Sequence, residues 1–249
     1  MNSVQAVTFS IVSAAGFVYC FFSMVQFAVF LYKSGQRPVR KDDECRESSW
    51  VSSLVINLAL LLLFIFQHTL MASYWWKHQL KVYGLTILSR SLYVIATSLS
   101  LQVLFHWWQP VFPCNSLWQF DIPSGSLASF VIFLVHCVSW LLVLAVCFTI
   151  DYAELMGVKQ VYYSILGLPP PLHHKSQEHQ RLFQHFRHPF SSGFLFVLWF
   201  VPVMRWDRFI LSLGLSLYLF LGHSLDEDDY DYLREQYHLK EQQLWQSAF

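Results

Sequence analysis

A chain of 249 residues that is 55% hydrophobic and only 13% charged, with a mean hydropathy of +0.40, is too apolar to present an ordinary water-soluble surface and reads as an integral membrane protein. Its formal net charge of zero excludes the basic surface that nucleic-acid binding requires. Aromatic residues make up 18% of the chain, which suits rings placed at headgroup level and between helices.

Cys20, Cys137 and Cys147 fall inside apolar runs, whereas Cys45 and Cys114 stand alone in polar loops. Without a C-x-x-C pair, neither a disulfide framework nor a structural zinc site is suggested. The N-terminus lacks a basic n-region and a small-residue cleavage site, so the first apolar run is expected to be a retained span.

Crossing about 30 Å of hydrocarbon takes about 20 helical residues. Six stretches are expected to do so: 4–32, 50–72, 88–107, 127–150, 190–204 and 209–225. They form one domain over 1–249 with a polar tail over 226–249, an all-α, polytopic transmembrane helical bundle whose last two spans make a hairpin.

The first span, Val4 to Tyr32, carries no charge and is followed by a mixed-sign polar loop from Lys33 to Glu47. The second ends on Gln67-His68-Thr69-Leu70-Met71-Ala72, where a lone His is expected to be a hydrogen-bonded structural residue. Tyr74-Trp75-Trp76-Lys77 then reads as an interfacial anchor. The third opens on Ser89-Arg90-Ser91-Leu92-Tyr93; Arg90 either snorkels to the interface or pairs inside the bundle. Residues 109–126, with Pro110, Pro113, Pro123 and Gly125, predict a turn-rich loop. His136 in the fourth span has no spaced partner and is a poor haem or metal ligand.

The fourth span leaves through Asp151-Tyr152-Ala153-Glu154. The two acids are three apart and can share a helix face, while the plainer reading is a helix terminus with interfacial tyrosines. Gly167-Leu168-Pro169-Pro170-Pro171 then stops the helix, and a His-rich stretch without any His-x-x-His-His box leads into the hairpin. The hairpin's first arm is short and contains Pro202, and Arg205-Trp206-Asp207-Arg208 reads as a tight polar turn. Two antiparallel arms would return Arg187-His188-Pro189 and Asp226-Glu227 to the same face. Lys and Arg are divided almost evenly between the two faces, so charge does not choose an orientation.

Arg187-His188-Pro189-Phe190-Ser191-Ser192-Gly193, then Asp226-Glu227, then Tyr237, together with Glu154-Leu155-Met156-Gly157-Val158-Lys159-Gln160-Val161, resemble the isoprenylcysteine carboxyl methyltransferases and their relatives, the thiol S-methyltransferases and NnrU-type proteins. Longer strings, Gln67 to Ala72, Arg90 to Val94, Asp151 to Gly157, Lys159 to Tyr163 and Arg187 to Pro189, are similar to the nurim family of multi-pass inner nuclear membrane proteins.

The methyltransferase resemblance implies S-adenosylmethionine as cofactor, bound by Glu154, Gln160, Arg187, His188, Pro189, Asp226, Glu227 and Tyr237, with His188, Arg187 and Glu227 as the catalytic set and no metal. A cation would hold the cofactor's carboxylate and the acids its amine or ribose. Where that family carries Tyr, Glu-Glu and a following Arg, this chain carries Ser191, Asp226-Glu227 and Asp228. The nurim resemblance implies a structural or binding role in the inner nuclear membrane; the residues alone support only an ER-continuous membrane. The expected partners are the bilayer, a lipophilic small molecule or nuclear-envelope proteins. The alternative is transfer of a methyl group to a lipophilic thiol or carboxylate.

Overall fold

The computed structural model describes residues 2–36, 50–112, 115–171 and 191–222, together with Arg234, Tyr237, His238 and Gln242. It is an all-α, polytopic helical protein. Helices α1 (Ser3–Gln36), α2 (Trp50–Ala72), α3 (Tyr74–Val82), α4 (Ser89–Trp107) and α5 (Leu127–Ile150) are followed by two short helices, α6 (Tyr152–Leu155) and α7 (Val158–Ile165). Two more, α8 (Ser191–Trp199) and α9 (Trp206–Gly222), complete the hairpin region. Among the described residues four helical stretches are long and apolar enough to cross a membrane: Ser3–Gln36, Trp50–Ala72, Thr86–Trp107 and Leu127–Thr149.

The long helices associate through small and polar residues, because lipid tails give apolar side chains no reason to leave them. On α1 the buried stripe runs Ser13, Gly16, Cys20, Ser23, Phe27, Leu31 and Gly35. It meets Ser91, Val94, Ser98, Leu101 and Leu104 of α4. Ser91 donates to Ser13 Oγ at 3.2 Å, and Gln102 donates to Ser23 Oγ at 3.0 Å and Gln26 Oε1 at 3.1 Å. These pairs rise together in number, so α1 and α4 run parallel. Helix α2 runs opposite to them, with His68 beside Tyr93 at one end and Asn57 bonded to both N and O of Gln109 at the other. The apolar core lies toward that second end, where Phe27, Leu31, Leu61, Leu101, Leu104, Val197, Leu198, Leu211 and Leu215 pack together.

The hairpin departs from two continuous arms. Helix α8 is nine residues long, about 14 Å at the helical rise and well short of a bilayer. Pro202 lacks the N–H that a continuing helix needs. The chain instead forms a strand, β2 (Val203–Arg205), that pairs antiparallel with β1 (Ser116–Gln119), matching Ser116 to Arg205, Trp118 to Met204 and Gln119 to Val203. The expected loop 109–126 therefore holds a strand. The expected tight turn at 205–208 is instead the end of β2 and the first turn of α9, with Arg205, Asp207 and Arg208 all buried. The Lys33–Glu47 loop begins later than expected, since α1 extends to Gln36; residues 37–49 lie outside the described set, as does most of the 226–249 tail.

A break of this kind frees carbonyl groups that lipid cannot hydrate. Each carbonyl from Phe196 to Pro202 has a donor. Phe200 N reaches Phe196 O at 2.9 Å and Val201 N reaches Trp199 O at 3.0 Å. Arg208 Nη2 donates to Val197 O at 2.9 Å and to Leu198 O at 3.3 Å, where Ser212 Oγ also donates. His136 Nε2 lies 2.7 Å from Phe200 O, Trp118 Nε1 donates to Val201 O at 3.1 Å, and Phe120 N donates to Pro202 O at 3.0 Å. Arg208, 1% exposed, also donates through Nη1 to Leu31 O and Ser34 Oγ in the last turns of α1. One guanidinium thus joins the ends of α1 and α8 to the start of α9. Close approach seats α8 against α5, where a Cβ on Gly193 would stand 2.8 Å from Ser139 O.

At the opposite end α6 and α7 form a cap over α1 and α4. Gly157, between them, has φ +85° and lies against the first turn of α4, where a Cβ would fall 2.6 Å from Ser91 N. Tyr152 meets the Phe17 ring edge-on at 5.4 Å.

Two outcomes are expected. Arg208→Met takes the side-chain donor from Val197 O and one of two from Leu198 O and Leu31 O, and should destabilise the protein by about 3 kcal/mol; thermal unfolding in detergent measures this, and Arg208→Lys, which lacks the planar fork, should recover only part of the loss. Gly157→Ala combines a left-handed backbone with a backbone clash and should cost about 1–3 kcal/mol, read as a lower melting temperature and faster amide exchange across 152–165.

Candidate functional site

The segments carrying the sequence motifs converge at the end where α4 begins. Helix α2 delivers Gln67 and His68 in its last turns, α4 delivers Arg90 to Tyr93 in its first, and the α6–α7 cap covers them with Asp151 to Gln160.

The cap is built locally. Asp151, at φ +82°, takes the N-cap position of α6, its Oδ1 accepting from Glu154 N at 3.2 Å. Its other oxygen pairs with Lys159 Nζ at 2.5 Å. That hydrogen bond raises the Lys159 ammonium above its ordinary 10.5, so the ammonium stays charged throughout the neutral range. Gln160 Nε2 donates to Glu154 O at 3.0 Å and ties α7 back onto α6. The plainer sequence reading of this stretch, a helix terminus with tyrosines, describes Asp151, while Glu154 is turned inward and only 8% exposed.

Arg90 joins the cap to the bundle. Its Nε donates to Leu155 O at 2.8 Å, and its guanidinium sits 5.4 Å from the centre of the Tyr93 ring. Tyr93 OH lies 3.0 Å from His68 Nδ1 and 2.5 Å from Nε2. Deeper in, Thr97 Oγ1 is 3.4 Å from His68 Nδ1 and 3.5 Å from Gln67 Nε2, and Ser100 Oγ donates to Gln67 Oε1 at 3.0 Å. A chain of polar groups therefore descends from Arg90 through Tyr93, His68, Thr97 and Gln67 to Ser100, between α2 and α4. Tyr218 of α9 adds its ring edge-on to His68 at 5.8 Å.

Of the sequence-predicted site residues, Glu154 and Gln160 stand within this cap and Tyr237 is exposed. Arg187, His188, Pro189, Asp226 and Glu227 lie outside the described residues. Thr97, Ser100 and Tyr218 were not singled out from sequence. The signal for the first two is the spacing 93, 97, 100, which lines one face of a helix; nothing local marks Tyr218, since only the return of α9 beside α2 brings it to His68.

Chemically the cap offers a buried carboxyl group at Glu154 and an amide oxygen at Gln160 that is buried without a hydrogen-bond partner among the described residues. These are acceptors, suited to an amine or a hydroxyl. Among the described residues no group of three or more His, Cys, Asp or Glu is placed to hold a metal ion.

Comparison with known proteins agrees with the strings these motifs contain. The chain is 44% identical over 207 residues to Nurim of Xenopus laevis, covering 81% of this chain and 71% of that protein. It is 44% identical over 192 residues to Nurim of Homo sapiens, covering 77% and 73%. With Nurim of Danio rerio it shares 38% over 213 residues, covering 82% and 76%. No family model and no solved structure matches. Identity at this level over about four fifths of the sequence, in a chain with four apolar helices of membrane-crossing length among the described residues, means that it belongs to the nurim family of multi-pass membrane proteins.

Proposed function

We propose that the chain resides in the inner nuclear membrane and has a structural or binding role there rather than one of turnover. The location follows the resemblance to the nurim family. The role rests on one observation: the described motif residues are engaged in holding the bundle together. Arg90 is bonded to Leu155 O, Gly157 is pressed on Ser91, and Asp151 is paired with Lys159. A polar chain inside a membrane bundle that is satisfied internally fixes helix register and shapes a binding surface without any need for reaction. The tagged full chain, imaged in cultured cells after permeabilisation of the plasma membrane alone and then of all membranes, is expected to give a nuclear rim. Reticular staining with no enrichment at the rim overturns the location.

A second reading, methyl transfer from S-adenosylmethionine, is favoured by the buried Gln160 oxygen that lacks a partner among the described residues, beside the buried Glu154. When bound, the cofactor would supply an electrophilic methyl group. Glu154 and Gln160 would accept from its amine or ribose hydroxyls, and the resemblance gives its carboxylate to Arg187 or His188. Calorimetric titration of detergent-purified protein with S-adenosylhomocysteine separates the readings. Under the methyltransferase reading heat is released, and Gln160→Leu weakens binding by about tenfold, the worth of one hydrogen bond. No heat at about millimolar ligand, where even weak binding of about −4 kcal/mol would show, removes the enzymatic reading.

A further inference from the structure

Away from the motif cap, a cleft of about 360 Å³ lies between the last turns of α1 and the first three turns of α5. Tyr32 and Gln36 form one wall; Ser126, Ser129, Phe133 and His136 form the other. Among the described residues, none of those lining it is Lys, Arg, Asp or Glu. These walls suit an uncharged occupant, since an anionic or cationic headgroup would find no counter-charge on them.

His136 sets what that occupant must offer. The residue is 7% exposed and its Nε2 faces Phe200 O at 2.7 Å. A carbonyl can only accept, so Nε2 carries the proton and Nδ1 of the neutral ring is an acceptor. Nδ1 has no partner among the described residues, and the residue lines the cleft. An acceptor on a residue that lines such a cleft is matched by a donor that costs little to desolvate, which for a membrane molecule means a hydroxyl. The cleft's size, near the lower end of small-molecule sites at roughly 300–1,000 Å³, holds one compact body and not a two-chain phospholipid. Aromatic side chains on both walls, Tyr32 and Phe133, offer flat surfaces to a rigid ring system.

We propose that the α1–α5 cleft is a lateral binding site for a sterol-class lipid alcohol, whose hydroxyl donates to His136 Nδ1. The site is separate from the motif cap, and its existence does not depend on whether the cap binds a cofactor.

The test uses the full chain in phospholipid nanodiscs carrying a diazirine- and alkyne-tagged cholesterol. After irradiation, labelled peptides are identified by mass spectrometry and competition is run with unlabelled cholesterol, dioleoylglycerol or additional phosphatidylcholine. Labelling is expected on 32–36 and 126–136, displaced by cholesterol and not by the other two. Ser129→Trp, which fills the cleft from its rim without touching the Phe200 bond, should lower this labelling about tenfold. His136→Gln, which keeps a donor for Phe200 O but moves the acceptor, should lower it with little change in melting temperature. Labelling elsewhere, labelling indifferent to Ser129→Trp, or equal displacement by dioleoylglycerol overturns the proposal.

Discussion

The structure depends on how it satisfies the carbonyl groups released where α8 stops. In lipid an unpaired carbonyl costs several kcal/mol, and seven consecutive ones, Phe196 to Pro202, lie at the junction of α8 and β2. Their donors come from α9, α5 and the α4–α5 connection, besides two from the local backbone. Removing any one of these elements would leave an acceptor stranded, so the break acts as the point to which separate parts of the chain are fastened. Arg208 extends the same logic to α1. Its burial, expensive in isolation, is supported because its Nη1 and Nη2 each reach oxygen acceptors at helix ends, where the backbone dipoles present their negative poles.

The two ends of the bundle solve different problems. At the break, backbone acceptors are met by side-chain donors and the surrounding core is large and apolar. At the motif end, side chains are met mostly by other side chains, the helices are held by serines and a glycine, and the polar chain from Arg90 to Ser100 replaces apolar packing. Small-residue contact brings the helices close enough for those bonds to form. A single change in that chain would be felt by its neighbours, because the groups from Tyr93 to Ser100 share hydrogen bonds with one another.

Much of the helical plan was legible in the chain itself. The uncharged run from Val4, the apolar run from Leu127 and the polar start at Ser89 mark helices that the structure contains within a few residues. Pro202 signalled a weak first arm. Where that arm led was not legible, because Val203-Met204-Arg205 becomes a strand only by pairing with Ser116–Gln119, about 85 residues away and set apart in sequence by α5 to α8. The burial of Arg205, Asp207 and Arg208 was hidden for the same reason: charge in a short connection normally points to water, and only the convergence of two helix ends gives Arg208 acceptors indoors. The candidate site was legible as strings. That Arg90 would bond Leu155 O, or that Gly157 must be glycine because Ser91 backs onto it, needed the cap to be docked on α4.

Helix α1 carries a mechanical consequence. Its uncharged run of about 29 residues measures about 43 Å along the axis, against about 30 Å of hydrocarbon. The surplus of about 13 Å has to be absorbed by inclination or by local thickening of the bilayer. Because Ser13–Ser91 and Ser23–Gln102 fasten α1 to α4 along their length, any change in inclination is shared by both. At its far end α1 is bolted by Arg208 to the start of α9. Membrane thickness thus acts on the bundle through one long lever, and a thinner bilayer would load the Arg208 junction and the cap contact at Phe17 together.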